Sequence, residues 1–92
     1  MEAVLVGANV IERDGAILLV REGKEAVAGS WNLPAGRLER GESPVECARR
    51  EAREEAGVEI DPVAHIGTYL DHNSLTGPDS VVVFAYHAQI VA

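Results

Sequence analysis

The sequence is poor in cysteine, in positive charge and in long apolar runs. Cys47 is the only cysteine among 92 residues, so no disulfide framework and no Cys/His zinc pattern can be drawn. A lone cysteine is typical of a reducing compartment, and we expect a cytoplasmic protein. Lys and Arg number 8 against 15 Asp and Glu, which gives a net charge of -7. This acidic balance disfavours binding of duplex nucleic acid through a broad basic face.

The N-terminal apolar run is too short to cross a bilayer, and no basic segment precedes it. We therefore expect neither a signal peptide nor a membrane anchor. The length of 92 residues suits a single domain, residues 1–92, with one modest core. The hydrophobic fraction of 47% is typical of a globular protein.

Apolar runs separated by turn residues predict several strands. Residues 3–11 predict a first strand, Asp14-Gly15 a hairpin turn and residues 16–21 a second strand. Residues 22–30 predict a loop, and residues 37–39 a short strand.

The second half of the chain is also rich in strand signals. Residues 58–60 and 63–70 predict extended segments, residues 71–79 a loop and residues 80–91 the strongest strand. With one helix between the two sets of strands, the fold class is α+β, a mixed or antiparallel sheet with a helix against it.

The helix begins and ends with clear local signals. Ser43 fits the N-cap, Pro44 the first helical position and Glu46 the third, which together predict a capping box. Gly57 fits the position just past the end. A spacing of 100° per residue places small and apolar residues on one face, which suits close packing on a sheet: Val45, Ala48, Ala52 and Ala56.

Three glutamates, Glu51, Glu54 and Glu55, share the flank beside that face. Like charges at this spacing repel, and acids near a helix C-terminus oppose its dipole. A divalent cation would reverse both penalties, and carboxylate oxygens suit Mg²⁺ or Mn²⁺. The alternative is a solvated acidic face, with Arg50 and Arg53 as ion-pair partners.

The segment from Gly36 to Val58 resembles the signature of the Nudix family, GX5EX7REUXEEXGU, where U is a bulky aliphatic residue. Glu42 follows Gly36 after five residues, and REAREEAGV follows after seven more. Ala52 is smaller than the usual residue at its U position. The preceding GSWNLPAG is similar to the lead-in common in the family, with Ala35 where glycine is frequent.

The resemblance implies an α/β/α sandwich, with the signature helix packed on a mixed sheet. It also implies hydrolysis of a phosphoanhydride bond in a nucleoside diphosphate linked to another moiety, with Mg²⁺, or Mn²⁺ as the alternative. Family members usually continue past a strand like that at residues 80–91 into a further strand and helix. We therefore expect a C-terminally truncated or minimal member.

By match to the signature, the metal ligands would be Glu51, Glu54, Glu55 and the carbonyl of Ala35. Glu42 would either contact the metal directly or support the ligands without touching the metal itself. Arg50 would orient the glutamates by ion pairing, with a plain surface arginine as the alternative. Glu51 is a candidate catalytic base, and a residue on a loop beyond residue 91 is the other.

Four residues are candidates for substrate binding: Arg21, Trp31, Gly36 and Arg37. Arg21 suits a phosphate by its bidentate geometry, but a strand-end surface cation is an equal alternative. For Trp31, packing under the loop is favoured over stacking on a base. Gly36 permits a turn or a close backbone approach.

The rival function is a non-catalytic Nudix-fold module that binds a nucleotide and regulates a partner. The specific substrate is not encoded in any motif, although Ala35 in LPAG weakly disfavours a role on oxidised nucleotides. Residues 80–91 are expected to form an exposed sheet edge, which makes a homodimer plausible.

Overall fold

The protein is described by a computed structural model, in which residues 3–21, 31–71 and 80–92 are placed. These residues form seven strands and one helix, in the order β1 Ala3–Arg13, β2 Ala16–Ile17, β3 Val20–Arg21, β4 Trp31–Asn32, β5 Ala35–Arg37, α1 Pro44–Ala56, β6 Ile60–Asp71 and β7 Ser80–Ile90. The predicted loops at 22–30 and 71–79 lie outside the described residues, except for Asp71, which ends β6.

Strand β1 is the centre of a mixed sheet. Along one edge it pairs in parallel with β7, from Ala3 opposite Ser80 to Ile11 opposite Ala88. Strand β6 pairs antiparallel with β7, so that the order is β2-β1-β7-β6, and β5 also pairs with β1. A mixed sheet with one helix confirms the predicted α+β class.

The hairpin between β1 and β2 is the predicted one. Asp14 has a φ of 53° and Gly15 a φ of 80°, so both central residues are left-handed, as a two-residue hairpin turn of type I′ requires. Arg13 pairs with Ala16 directly across this turn.

The prediction of one strand over residues 16–21 is wrong. Strand β2 ends at Ile17, and β3 begins at Val20 in a separate two-stranded sheet with β4. The part of the β1 edge that Val20 and Arg21 would reach is already occupied, because β5 pairs with Val6 to Ala8 and the Asn9 N–H donates to the Pro34 carbonyl. The chain therefore leaves β1 after Leu18, whose N–H donates to the Ile11 carbonyl at 2.9 Å.

The expectation that residues 80–91 form an exposed edge is also wrong. Strand β7 lies between β1 and β6 and is paired on both sides. The edge strand on this side is β6, which runs from Ile60, the last residue of the first predicted extended segment, through the second segment. It shows register shifts at Pro62/Ala64 and His65/Gly67. Proline and irregular register are typical of edge strands. A homodimer stays a prediction, without the support of a β7 edge.

Helix α1 begins and ends where the sequence predicts. The Ser43 hydroxyl accepts from the Glu46 N–H, and the Glu46 carboxylate accepts from the Ser43 N–H at 2.9 Å. Gly57 is left-handed with a φ of 69°, and its N–H donates to the Arg53 carbonyl at 3.0 Å. The helix ends are therefore satisfied locally. No helix in the described ranges is both long and apolar enough to cross a membrane.

The helix packs on the sheet through small residues. Cys47, Ala48 and Ala52 are fully buried, whereas Val45 of the predicted face is 36% exposed. A Cβ added to Gly7 of β1 would lie 2.9 Å from the Pro44 carbonyl oxygen, so the backbones nearly touch there. Beyond that contact, the core continues through Ile11, Ala52, Ile60 and Ala88.

Candidate active site

The backbone of β5 lies directly beneath the acidic flank of α1. Gly36 pairs with Gly7 of β1, and a Cβ added to Gly36 would overlap the carboxylate of Glu51. Of the two predictions for Gly36, the close approach is confirmed and the turn is not. The short strand also starts at Ala35 rather than at residue 37. Only glycine lets the Glu51 carboxylate rest on the strand backbone.

Glu55 reaches the same segment from the next helical turn. One of its carboxylate oxygens, Oε1, accepts a hydrogen bond from the Ala35 N–H at 2.8 Å. Glu51 and Glu55 therefore both meet the Ala35–Gly36 segment, which links the acidic helix to the LPAG lead-in. The spacing of four residues puts both carboxylates on one side of the helix.

Arg50 binds three of the acids at once. Its Nη1 donates to Glu51 Oε1 at 2.6 Å and to Glu54 Oε2 at 2.9 Å. Its Nε donates to Glu42 Oε2 at 2.7 Å, and its Nη2 donates to Glu42 Oε1 at 3.0 Å and to the Arg37 carbonyl at 2.9 Å. The side chain is 17% exposed. This geometry excludes the alternative that Arg50 is a plain surface arginine.

Negative charge exceeds positive charge around this guanidinium, because at least three carboxylates meet one cation. Hydrogen bonds from Arg50 hold the pKa of Glu42 at about 2, and the N–H of Glu39 adds to the effect, although burial opposes it. The same contacts, first to Glu42 and then to Glu51 and Glu54, raise the pKa of Arg50. Both partners are thus charged across the physiological pH range.

Cys47 supports the strand but has no reactive character. Its Sγ donates to the Gly36 carbonyl at 3.2 Å. Burial raises the pKa of its thiol to about 11, so the thiolate is not formed near neutral pH.

Two asparagines near the site were missed by the sequence analysis. Asn9 is fully buried in β1, and its Nδ2 donates to the Ala48 carbonyl at 2.8 Å and to the Pro34 carbonyl at 3.3 Å. The signal was a single amide in an otherwise apolar strand.

Asn32 lines a cavity of 320 Å³ beside Glu55. The other lining residues are Val6, Ala8, Leu33, Ala35 and Val83, so the cavity floor is the face of the sheet opposite α1. No pattern in the sequence singles out Asn32, because the residues around it meet only after β4 and β5 have folded onto the sheet.

The acids do not form a ready-made ion cage. Within the three described ranges, no group of three His, Cys, Asp or Glu side chains is close enough to hold a metal ion. Arg50 occupies one oxygen each of Glu51 and Glu54. The donor set nevertheless fits Mg²⁺ or Mn²⁺ by its chemistry, since carboxylate and backbone carbonyl oxygens are the ligands those ions prefer.

The four predicted substrate-binding residues lie in two separate places in the structure. Gly36 and Arg37 lie in β5, and Arg37 is among the residues that line a groove of 470 Å³, with Leu38 and Glu39. Arg21 and Trp31 lie apart in the β3–β4 ribbon, with the guanidinium carbon 5.8 Å from the ring centre. Trp31 is 61% exposed, so the favoured packing interpretation is not observed.

Comparison with known proteins agrees with this architecture. A family model described as the NUDIX domain matches residues 1–91. The chain belongs to the Nudix family. The fold of a NUDIX hydrolase from Nitrosomonas europaea superimposes with a TM-score of 0.91 at 34% identity, covering 99% of this chain and 61% of that one.

Curated Nudix relatives share parts of the chain. It is 44% identical over 59 residues, 64% of its own length, to the 8-oxo-dGDP phosphatase NUDT18 of Danio rerio. It is 41% identical over 71 residues, 76% of its length, to the CTP pyrophosphohydrolase of Escherichia coli (strain K12). The chain spans 18% of the first protein and 50% of the second.

Proposed function

We propose that this Nudix protein hydrolyses a phosphoanhydride bond in a nucleoside diphosphate linked to another moiety, with Mg²⁺ or Mn²⁺. The observation that carries the proposal is the meeting of Glu51 and Glu55 at the Ala35–Gly36 segment, with Arg50 behind them. Carboxylates in this number, held beside the backbone of β5, can bind a cation together with substrate phosphates.

The residues that would hold the ion are Glu51, Glu54, Glu55 and the Ala35 carbonyl. When bound, the cation would neutralise phosphate charge and lower the pKa of a coordinated water. Glu54 is half-exposed, with 55% of its side chain in contact with solvent, so it can turn from Arg50 toward an ion. Arg50 would then retain its contacts with Glu42 and position Glu51.

Glu42 is better suited to hold Arg50 than to bind the ion. Both of its oxygens accept from Arg50, and Oε1 also accepts from the Glu39 N–H at 3.0 Å. We therefore assign Glu42 the indirect one of its two predicted roles. Glu51 remains our candidate for the base, since its carboxylate is the one packed on the strand backbone.

The substrate is proposed to be a nucleotide. The cavity beside Glu55 is lined mainly by apolar residues together with Asn32, as suits a flat ring with polar edges. Relatives named for 8-oxo-dGDP and for CTP favour such substrates, and they speak against the weak inference from Ala35. Arg37, Arg21 and Trp31 remain candidates for contacts with the phosphates and the base. A cytoplasmic location, proposed from the lone thiol, agrees with this substrate class.

The test is a hydrolysis assay on the full-length protein, with 8-oxo-dGDP, CTP and a panel of nucleoside diphosphates linked to other groups, in Mg²⁺, Mn²⁺ or EDTA. We expect metal-dependent release, and a loss of at least about 100-fold in kcat for Glu55→Gln. Glu59→Gln, a change at an exposed glutamate paired with Arg53, is the matched control and keeps the wild-type rate. A wild-type rate in Glu55→Gln would remove the assignment. Nucleotide binding without release would favour the non-catalytic module.

A further inference from the structure

Asn9 connects three elements of the fold through a single buried side chain. It lies in β1 on the face that carries the helix, between Gly7 and Ile11, and none of it is exposed. Its backbone N–H donates to the Pro34 carbonyl at 3.0 Å, and its Nδ2 donates to the same carbonyl and to that of Ala48. Strand, LPAG lead-in and helix thus meet at one amide.

The Asn9 amide is held there at a cost. Its Oδ1 is buried and has no hydrogen-bond partner among the described residues. A buried, unpaired carbonyl is unfavourable, and an apolar side chain of the same size would avoid the penalty altogether. Core filling alone therefore does not account for asparagine at this position.

What the amide holds is one peptide group of the active site. The carbonyl of Pro34 and the N–H of Ala35 belong to the same peptide plane. Asn9 binds the carbonyl end of this plane, and Glu55 binds the N–H end at 2.8 Å. The second donation, to Ala48, ties the plane to the helix that carries Glu55. Turning this peptide would break the hydrogen bond to Glu55, and it would also shift the adjoining Ala35 carbonyl, which lies in the next peptide plane.

We propose that Asn9 is a positioning residue, which orients the Pro34–Ala35 peptide so that the Ala35 carbonyl and Glu55 face a common point. The inference rests on the proposed function in one respect, since Glu55 and Ala35 are assigned there as metal ligands. The orientation of the peptide itself does not depend on any metal, and it can be measured without one.

The decisive measurement is amide hydrogen exchange by NMR on the metal-free full-length protein. In Asn9→Leu, which keeps the branched shape and removes both side-chain donations but not the backbone one, we expect the Ala35 N–H to exchange about tenfold faster. Ile11→Val, a change on the same strand face that contacts neither carbonyl, is the matched control. Unchanged exchange at Ala35 in Asn9→Leu would overturn the proposal, as would an equal acceleration at all amides. Asn9→Ala is the second variant if Asn9→Leu does not fold.

Titration with Mn²⁺ alone, followed by electron paramagnetic resonance, connects the position of the peptide to the metal. We expect Asn9→Leu to weaken Mn²⁺ binding about tenfold and Ile11→Val to leave it unchanged. Wild-type affinity in Asn9→Leu would overturn the role of Asn9 toward the metal. If the wild-type protein itself bound no Mn²⁺, the proposed function would fail, while the exchange result would still decide the orientation of the peptide.

Discussion

Two arginines of this protein have opposite surroundings. Arg50 is 17% exposed and donates to three carboxylates and a backbone carbonyl, whereas Arg21 is exposed on a short ribbon and lies over the ring of Trp31. The sequence makes both of them candidates for the active site. The difference lies in the number of fixed anionic partners, since an arginine acquires a structural role when several acceptors hold each of its nitrogens in place.

The comparison also separates the part of the site whose geometry is fixed by several elements from the part that stands on a short ribbon. The Arg50 cluster joins α1 to the loop before it and to β5, so its geometry is set by three elements. The β3–β4 ribbon is two residues long in each strand and makes a sheet of its own. We expect changes in the Arg50 cluster to affect folding and catalysis together. Changes in the β3–β4 ribbon are expected to affect substrate binding alone.

The strongest test of this contrast is Arg50→Ala. Removing the guanidinium leaves Glu42, at 12% side-chain exposure, without its cation. Because the pair is only partly buried, we expect a loss toward the lower end of the about 3–5 kcal/mol that breaking a fully buried pair costs. Chemical denaturation would measure the loss. Arg49→Ala is the matched control, since Arg49 makes one contact of 3.8 Å with Asp61 and should change stability by less than about 1 kcal/mol. Equal losses in the two variants would contradict the contrast.

A smaller effect is expected from the titration of Glu42. Its pKa of about 2 in the folded protein is below the ordinary value of 4.5, so its carboxylate stabilises the fold above about pH 5. That stability is lost as the pH falls from 4.5 toward 2. Glu42→Gln should therefore lose about 1–3 kcal/mol at pH 7 and show a shallower decline than the wild type between pH 5 and pH 2.5. Denaturation curves across this range provide the measurement.

Glu59→Gln serves as the control for this titration, since it also removes one carboxylate, from an exposed pair with Arg53. It is expected to retain the acid sensitivity of the wild type. The role of Glu42 would be refuted by a Glu42→Gln protein that lost stability in acid as steeply as the wild type does.

The smallest effect on stability is expected from Trp31→Ala. An exposed cation–π contact at 5.8 Å contributes about 0.5–1 kcal/mol, so the free energy of unfolding should fall by no more than that. If the ribbon contacts substrate, KM rises while kcat is kept, and steady-state kinetics would show the split. A loss of stability as large as that of Arg50→Ala would show that the ribbon is part of the core instead.

Local signals predicted the helix to the residue, and non-local pairings explain the errors. Ser43, Glu46 and Gly57 act within a few residues of themselves, so their roles do not depend on the rest of the fold. The break after Ile17 depends on β5 reaching β1 from about 20 residues further along the chain. The interior place of β7 likewise follows from its parallel pairing with the first strand, which no turn signal encodes.

The sequence by itself determined the acidic helix, its ends and its membership of the Nudix family, because spacing along one helix and a long fixed motif are local properties. Only the tertiary structure decided which residues the acidic side chains of the helix contact. The packing of Gly36 against Glu51, the ion pairs of Arg50 and the hold of Asn9 on the Pro34–Ala35 peptide all join residues distant in sequence. Such contacts arise when sheet pairing brings separate segments to one place, and that pairing is chosen by the whole core.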